Sequence, residues 1–190
     1  MSRVHVKSEK TIGARPEDVY AVLTNYKVLR PRILTPNFLD YTVEQGGQGA
    51  GTIIRYRLQA AGRERPYRLL VSEPLKGEVL VESDTVSSLA TTWTLIPVNN
   101  GQQTRVRLTS EWQGAGGIGG FFERTFAPLG LRRIYNDILS SLAQTVPGTD
   151  TSSFSEQEPV NRGLLFAVIG VAVAVISGIV YILIQNQREQ

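Results

Sequence analysis

Tyrosine, tryptophan and serine recur on one parity through the middle of the chain, and these are the side chains here best suited to hold a small molecule. Tyr41, Tyr56, Tyr67, Trp93, Ser110 and Trp112 keep step with Leu39, Val43, Ile54, Leu58, Leu69, Val71, Leu95, Val106 and Leu108. Alternate residues of a strand share a face, so this set predicts one apolar, aromatic surface carrying a few hydroxyls and indole N–H groups. Phe122 and Phe126 would face it from a helix. Such a lining suits an apolar ligand oriented by one or two hydrogen bonds. The same residues would also serve as an ordinary filled core.

Acid–base and metal chemistry find less to work with. The single histidine, His5, falls on the outward parity of the first strand among charged neighbours. With no inward histidine, a nucleophilic triad or a histidine-ligated metal has no base to build on. There is no cysteine, which excludes disulfides, thiolate metal sites and a cysteine nucleophile. Glu44, Glu73, Glu78, Glu82 and Asp84 are expected at strand ends or on the polar parity, with no two placed as an acid–base pair. No catalytic residue, metal or cofactor is therefore assigned. Two glycine-rich stretches, Gly46–Gly49 and Gly114–Gly120, lack the strand–glycine–helix order and the lysine of a phosphate loop. They read as a turn and as a flexible gate or helix lead-in.

The elements that must position these residues follow from the same periodicities. Residues 3–12 alternate as a strand. A helix then runs over 14–23, with Pro16 in its first turn, Glu17 and Asp18 at its positive end, and Val19, Val22 and Leu23 on one face. A second short helical piece over 26–30 is expected to stop before Pro31. Six strands follow, over 38–44, 52–59, 66–73, 78–83, 89–97 and 103–112, and Asn99-Asn100-Gly101 marks a hairpin. Leu131, Ile134, Ile138 and Leu142 then repeat at helical spacing up to about Val146. Pro128 predicts a kink, or two helices joined near Ala127. A twisted antiparallel sheet of seven strands must cover its apolar face, and only this last helix is long enough to do so. The fold class is α+β.

The average composition hides two unlike parts. Of 190 residues, 42% are apolar and 19% charged, with a net charge of +3. Residues 1–146 carry 18 Lys+Arg against 13 Asp+Glu, or +5, whereas the linker 147–162 carries −2. No concentrated basic run marks a nucleic-acid site, and no nucleic-acid partner is expected. Residues 163–184 form an uncharged run of 22, of which 18 are apolar. At about 1.5 Å per residue this is long enough to cross the hydrocarbon core of a bilayer. The N-terminus has no signal-peptide pattern and only residues 185–190 follow the run, so a tail-anchored topology is expected, with the domain facing the cytoplasm. Gly170, Ala174 and Gly178 align small residues on one face of this helix, a seam suited to a homodimer.

The order of elements, together with Ala14-Arg15-Pro16-Glu17-Asp18-Val19, Thr92-Trp93-Thr94-Leu95-Ile96-Pro97, Thr104-Arg105-Val106 and Arg133-x-Tyr135-x-Asp137-x-Leu139, resembles the START-like (SRPBCC, birch-pollen-allergen-like) superfamily, in its polyketide cyclase/dehydrase-type branch. The resemblance covers about residues 3–146. It implies a helix-grip fold with an elongated internal cavity for hydrophobic ligands, in a superfamily of lipid carriers, quinone and hormone binders and some cyclases. It also implies that the first and last strands are neighbours. Arg3, His5, Lys7, Arg105 and Arg107 would then share an outer face, and Arg3, Lys7, Arg105 and Arg107 are candidates for resting on an anionic bilayer. The resulting expectation is a membrane-tethered protein that binds or transfers a lipid, quinone, isoprenoid or polyketide-like molecule. A cyclase/dehydrase, or a membrane interaction protein with a vestigial cavity, are the alternatives.

Overall fold

The computed structural model describes residues 3–60, 63–114 and 117–148, of which 117–128 are described by their backbone. Its elements are β1 (Arg3–Ile12), α1 (Pro16–Thr24), a one-turn 3-10 helix (Arg30–Ile33), β2 (Phe38–Gln45), β3 (Ile53–Ala60), β4 (Arg63–Leu75), β5 (Val79–Asp84), β6 (Ala90–Val98), β7 (Gln103–Gln113) and α2 (Gly117–Thr145). The seven strands form one antiparallel sheet in the order β1-β7-β6-β5-β4-β3-β2. It is thus a meander from β2 to β7, and β1 closes on β7 with Val6 opposite Ser110.

The alternation read from sequence becomes the burial pattern. In β6 and β7 every second side chain is buried, from Thr91 to Leu95 and from Thr104 to Ser110. Their inner face meets α2, from which Ile134, Tyr135, Ile138, Leu139 and Leu142 enter the core at helical spacing. α1 begins with proline in its first turn and buries Val19, Val22 and Leu23 as expected. In the β6–β7 hairpin both Asn99 and Asn100 take positive φ, the conformation that asparagine tolerates best after glycine.

Four local expectations change. The short helix does not stop before Pro31 but takes it into its first turn, where the fixed φ of proline is an asset. β2 does not keep one parity. Asp40 sits at φ +53 within a register shift, so Phe38 pairs with Leu58 facing the core, and Leu39 pairs with Arg57 on the other face. Beyond this bulge Tyr41 and Val43 pack inward again. α2 is one continuous helix through Pro128 rather than two joined near Ala127, and it starts inside the glycine-rich stretch. Finally, Glu82 is neither at a strand end nor on the polar side; it is buried beside Leu80 on the inner parity of β5.

Among the described residues no helix is long and apolar enough to cross a membrane. The apolar run 163–184, with Gly170, Ala174 and Gly178, lies outside the described residues, as does the linker from 149 on.

Candidate functional site

Between the sheet and α2 lies a cavity of about 520 Å³. That is ample for a small molecule of drug-like size. Its walls come from all six strands of the meander, β2 to β7, and one face of the helix. Phe38, Tyr56, Tyr67, Trp93 and Trp112 supply the aromatic surface. Leu34, Leu58, Leu89 and Leu108 extend it, and Leu131, Tyr135 and Ile138 descend from α2 at intervals of three and four. Phe38 and Tyr56 meet as tilted rings with centroids 4.9 Å apart, and Tyr56 and Tyr67 likewise at 5.8 Å, so these three aromatics form a connected wall. Exposed Arg63, Glu64 and Arg65 edge the cavity from the β3–β4 hairpin, and Ser87 and Ser88 from the β5–β6 hairpin.

One row of the sheet crosses this apolar wall with polar groups. Glu82 of β5 stands opposite Thr91 of β6, and Thr91 stands opposite Ser110 of β7. Thr91 Oγ1 and Ser110 Oγ are 2.6 Å apart, and Ser110 Oγ and Tyr135 Oη 2.5 Å. Glu82, Thr91 and Tyr135 all line the cavity. Burial pushes the Tyr135 phenol up to about 12, against the opposing effect of its hydrogen bonds with Ser110 and Thr91. It is therefore a neutral hydroxyl at physiological pH.

Behind Glu82 sits the one buried ion pair among the described residues. Arg30 Nη2 donates to Glu82 Oε1 at 2.5 Å, with the two residues 3% and 5% exposed. Tyr26 Oη donates to the same oxygen at 2.8 Å. The Arg30 guanidinium lies 4.1 Å from the centre of the Trp93 ring and 5.5 Å from that of Tyr26, so cation–π attraction supports its charge. Burial raises the Tyr26 phenol well above its ordinary value, and the Glu82 charge adds to this. The Arg30 segment is fixed in turn by its own backbone, because the Arg30 N–H donates to the Asn25 carbonyl at 2.8 Å. Tyr41 Oη donates to the Tyr26 carbonyl at 2.9 Å. Arg30 Nη1 and Trp93 Nε1 are buried without a partner, which is a cost the fold tolerates at this site.

Of the expected ligand-contacting residues, Tyr56, Tyr67, Trp93 and Trp112 line the cavity. Ser110 is buried one step behind it, reaching the lining through Thr91 and Tyr135. Tyr41 is turned to the Tyr26 backbone and does not line it. The side chains of Phe122 and Phe126 lie outside the described residues. The residues missed were Arg30, Glu82, Thr91 and Tyr135. The inward place of Glu82 was readable from Leu80, two positions earlier in the same short strand. Nothing local marked Arg30 as the partner.

The outer face is less basic than expected. β1 and β7 do pair, and Arg3, His5, Lys7, Arg105 and Arg107 share that face. However, Arg3 and His5 both meet Glu111, at 3.4 and 3.5 Å, and Lys7 and Arg107 both meet Glu9 at 3.0 Å. Two interleaved carboxylates thus break the field that the arginines alone would make, and exposed pairs of this kind add little to stability.

A cavity between a seven-stranded sheet and a C-terminal helix is also where known proteins can be compared. Residues 3–147 match the family described as polyketide cyclase / dehydrase and lipid transport. The chain belongs to that family. Among solved structures of similar shape, the polyketide cyclase/dehydrase and lipid transport domain is 41% identical to the KanY protein, covering 78% of this chain and all of that one, with a TM-score of 0.68. The TTHA0849 protein from Thermus thermophilus is 22% identical, over 75% of this chain and 96% of that one, with a TM-score of 0.60. The Zhui aromatase/cyclase from Streptomyces sp. R1128 is 17% identical, over 75% and 93%, with a TM-score of 0.59. These last two share the fold. A comparison with curated proteins finds no match.

Proposed function

We propose that the chain binds and transfers a hydrophobic small molecule in the cavity between its sheet and α2, while tethered to a bilayer by residues 163–184. The observation that carries this reading is the lining: about 520 Å³ walled by aromatic and aliphatic side chains, with Glu82, Thr91 and Tyr135 as polar contacts. An apolar wall drives uptake and a few fixed polar groups orient what enters. The family's description includes lipid transport. The test is native mass spectrometry of the full chain released from membranes, with extraction of bound small molecules. A reproducible apolar adduct is expected, and a domain that stays empty and takes up no apolar probe overturns the reading.

The tether rests on the uncharged run of 22 residues. Alkaline extraction of membranes should leave the full chain in the pellet and release a chain lacking 163–184. In this reading the domain faces the cytoplasm, the linker 147–162 gives it reach, and Gly170, Ala174 and Gly178 form a seam for a second copy. Crosslinking that stays monomeric, and is unchanged by Gly170→Ile or Gly178→Ile, argues against the seam.

A second reading, a cyclase or dehydrase acting on a polyketide-like or aromatic precursor, is favoured by one observation. A carboxylate, Glu82, and a neutral phenol, Tyr135, open onto the same cavity, and such groups can guide proton transfer on a bound carbonyl compound. The Zhui aromatase/cyclase carries its activity on a similar fold. Turnover lost in both Glu82→Gln and Tyr135→Phe, with binding retained, would support this reading over simple carriage.

A further inference from the structure

The register of β3 against β4 puts two arginines on the cavity side of the sheet. Ile54, Tyr56, Leu58 and Ala60 are the inward set of β3, and the residues opposite them are Leu69, Tyr67, Arg65 and Arg63. Directly opposed residues of an antiparallel pair share a face. The inner face of β4 thus runs from leucine through tyrosine to two arginines as it nears the β3–β4 hairpin. Arg63 and Arg65 line the cavity, and so do their apolar partners Ala60 and Leu58.

The acid of this hairpin is spent elsewhere. Glu64 falls on the opposite parity, opposite Gln59. Its carboxylate accepts from Arg57 Nη1 at 2.6 Å, and Arg57 also meets Asp40 at 2.8 Å. The Arg65 guanidinium lies 5.5 Å from the centre of the Tyr67 ring, which holds it to the cavity wall without neutralising it. The other charged residue of the lining is Glu82, which is buried where the arginines are exposed. Its partner Arg30 stands behind the wall and does not line the cavity. The lining is therefore polarised, with cations at the rim, a carboxylate in the depth and an apolar surface between them.

We propose that Arg63 and Arg65 form an anion subsite at the cavity mouth, so that the molecule bound is an anionic amphiphile with its apolar body inside and a phosphate or carboxylate head at the rim. Two positions apart on one strand face, the two residues stand about 7 Å apart along the chain. Their long side chains can converge on one oxyanion, and each guanidinium presents a fork of N–H donors suited to it. The opposite orientation would carry the head toward the Glu82 carboxylate in a low-dielectric space. A cationic head would meet like charge at the rim. The proposal rests on the reading of the cavity as a ligand site and adds to it the charge and the direction of the ligand.

The experiment is isothermal titration of the full chain, reconstituted in phosphatidylcholine nanodiscs, with 2-naphthyl phosphate, 2-naphthylmethanol, 2-naphthylmethylamine and inorganic phosphate, each corrected for binding to empty nanodiscs. The naphthyl phosphate should bind about tenfold more tightly than the alcohol, the size of one charge-assisted hydrogen bond, and this preference should narrow as salt is added. It should shrink to about twofold or less in the double variant Arg63→Gln, Arg65→Gln and persist in Arg63→Lys, Arg65→Lys, since the gain comes from the charge of the two side chains. Negative-ion mass spectrometry of the adduct carried by the full chain and missing from the double glutamine variant tells a phospholipid from a soluble amphiphile. Equal binding of phosphate and alcohol, tighter binding of the amine, or a preference unmoved by the glutamine variant overturns the subsite and leaves the cavity reading standing. Inorganic phosphate binding as tightly as the naphthyl phosphate overturns it too, because the head would then be held without a body in the cavity. Binding of none of the naphthyl probes overturns both.

Discussion

Arg30 and Glu82, 52 residues apart in the chain, share a buried ion pair in which one guanidinium nitrogen meets one carboxylate oxygen at 2.5 Å. The arginine comes from a one-turn helix outside the sheet, and the glutamate from the inner face of a central strand. The pair fixes the carboxylate at the cavity wall, and the Trp93 ring covers the guanidinium. Its first consequence is for stability. Arg30→Met leaves Glu82 buried without its cation and should cost about 3–5 kcal/mol. The double variant Arg30→Met, Glu82→Leu removes both charges and should recover most of that loss. Denaturant unfolding of the single and double variants checks this, and additive losses would argue against a coupled pair.

Filling the cavity should separate ligand binding from folding. Leu58 lines the space and is only half-buried. Leu58→Trp is expected to lower uptake of an apolar probe by at least about tenfold while the thermal midpoint holds or rises, because the added ring enters an existing space. A fall in midpoint with unchanged uptake would place Leu58 in a packed wall instead.

Alkaline stability follows from Tyr135. Its phenol is pushed up to about 12 in the fold from an ordinary value of 10.0. Between these values the unfolded chain has released the proton and the folded chain keeps it. The contribution to stability is thus complete below about pH 10 and is lost as the pH rises through about 12. Tyr20, raised by its own burial and by Glu73 to about 12, acts with the same sign. Tyr135→Phe should flatten the fall in unfolding free energy over this window, and tyrosinate absorbance should show one fewer late-titrating phenol.

Gly49 tests the turn that brings β2 into β3. It sits at φ +58, and a side chain there would meet Glu73 Oε1, the oxygen that accepts the Ala50 N–H at 2.8 Å. Gly49→Ala should cost about 1–3 kcal/mol, through the left-handed backbone and the displaced carboxylate together. Because the other Glu73 oxygen accepts the Tyr20 hydroxyl at 2.6 Å, the tyrosine should titrate earlier in this variant.

Much of this architecture was legible because it is local. Strand parity is a period of two, so Tyr56, Tyr67, Trp93 and Trp112 could be assigned to one face from their spacing alone, and all four line the cavity. Pro16, the Asn99-Asn100-Gly101 hairpin and the helical repeat of Ile134, Ile138 and Leu142 declared themselves through backbone chemistry that each residue carries with it. The parity of β2 was misread at Leu39 because a bulge needs only one residue in the left-handed region, and an aspartate such as Asp40 does not announce it.

What only the tertiary structure decided is pairing between distant segments. A sequence cannot show that Arg30 finds Glu82, because which cation neutralises a buried carboxylate depends on where two unrelated elements meet. Nor can it show that Glu9 and Glu111 quench the basic outer face, since that depends on the register of β1 against β7. Whether the inward aromatics close up or leave a space is likewise a matter of how far the helix stands from the curved sheet. Periodicity sets the side on which a residue faces; the separation of the packed layers sets whether anything else fits between them, and here it leaves about 520 Å³.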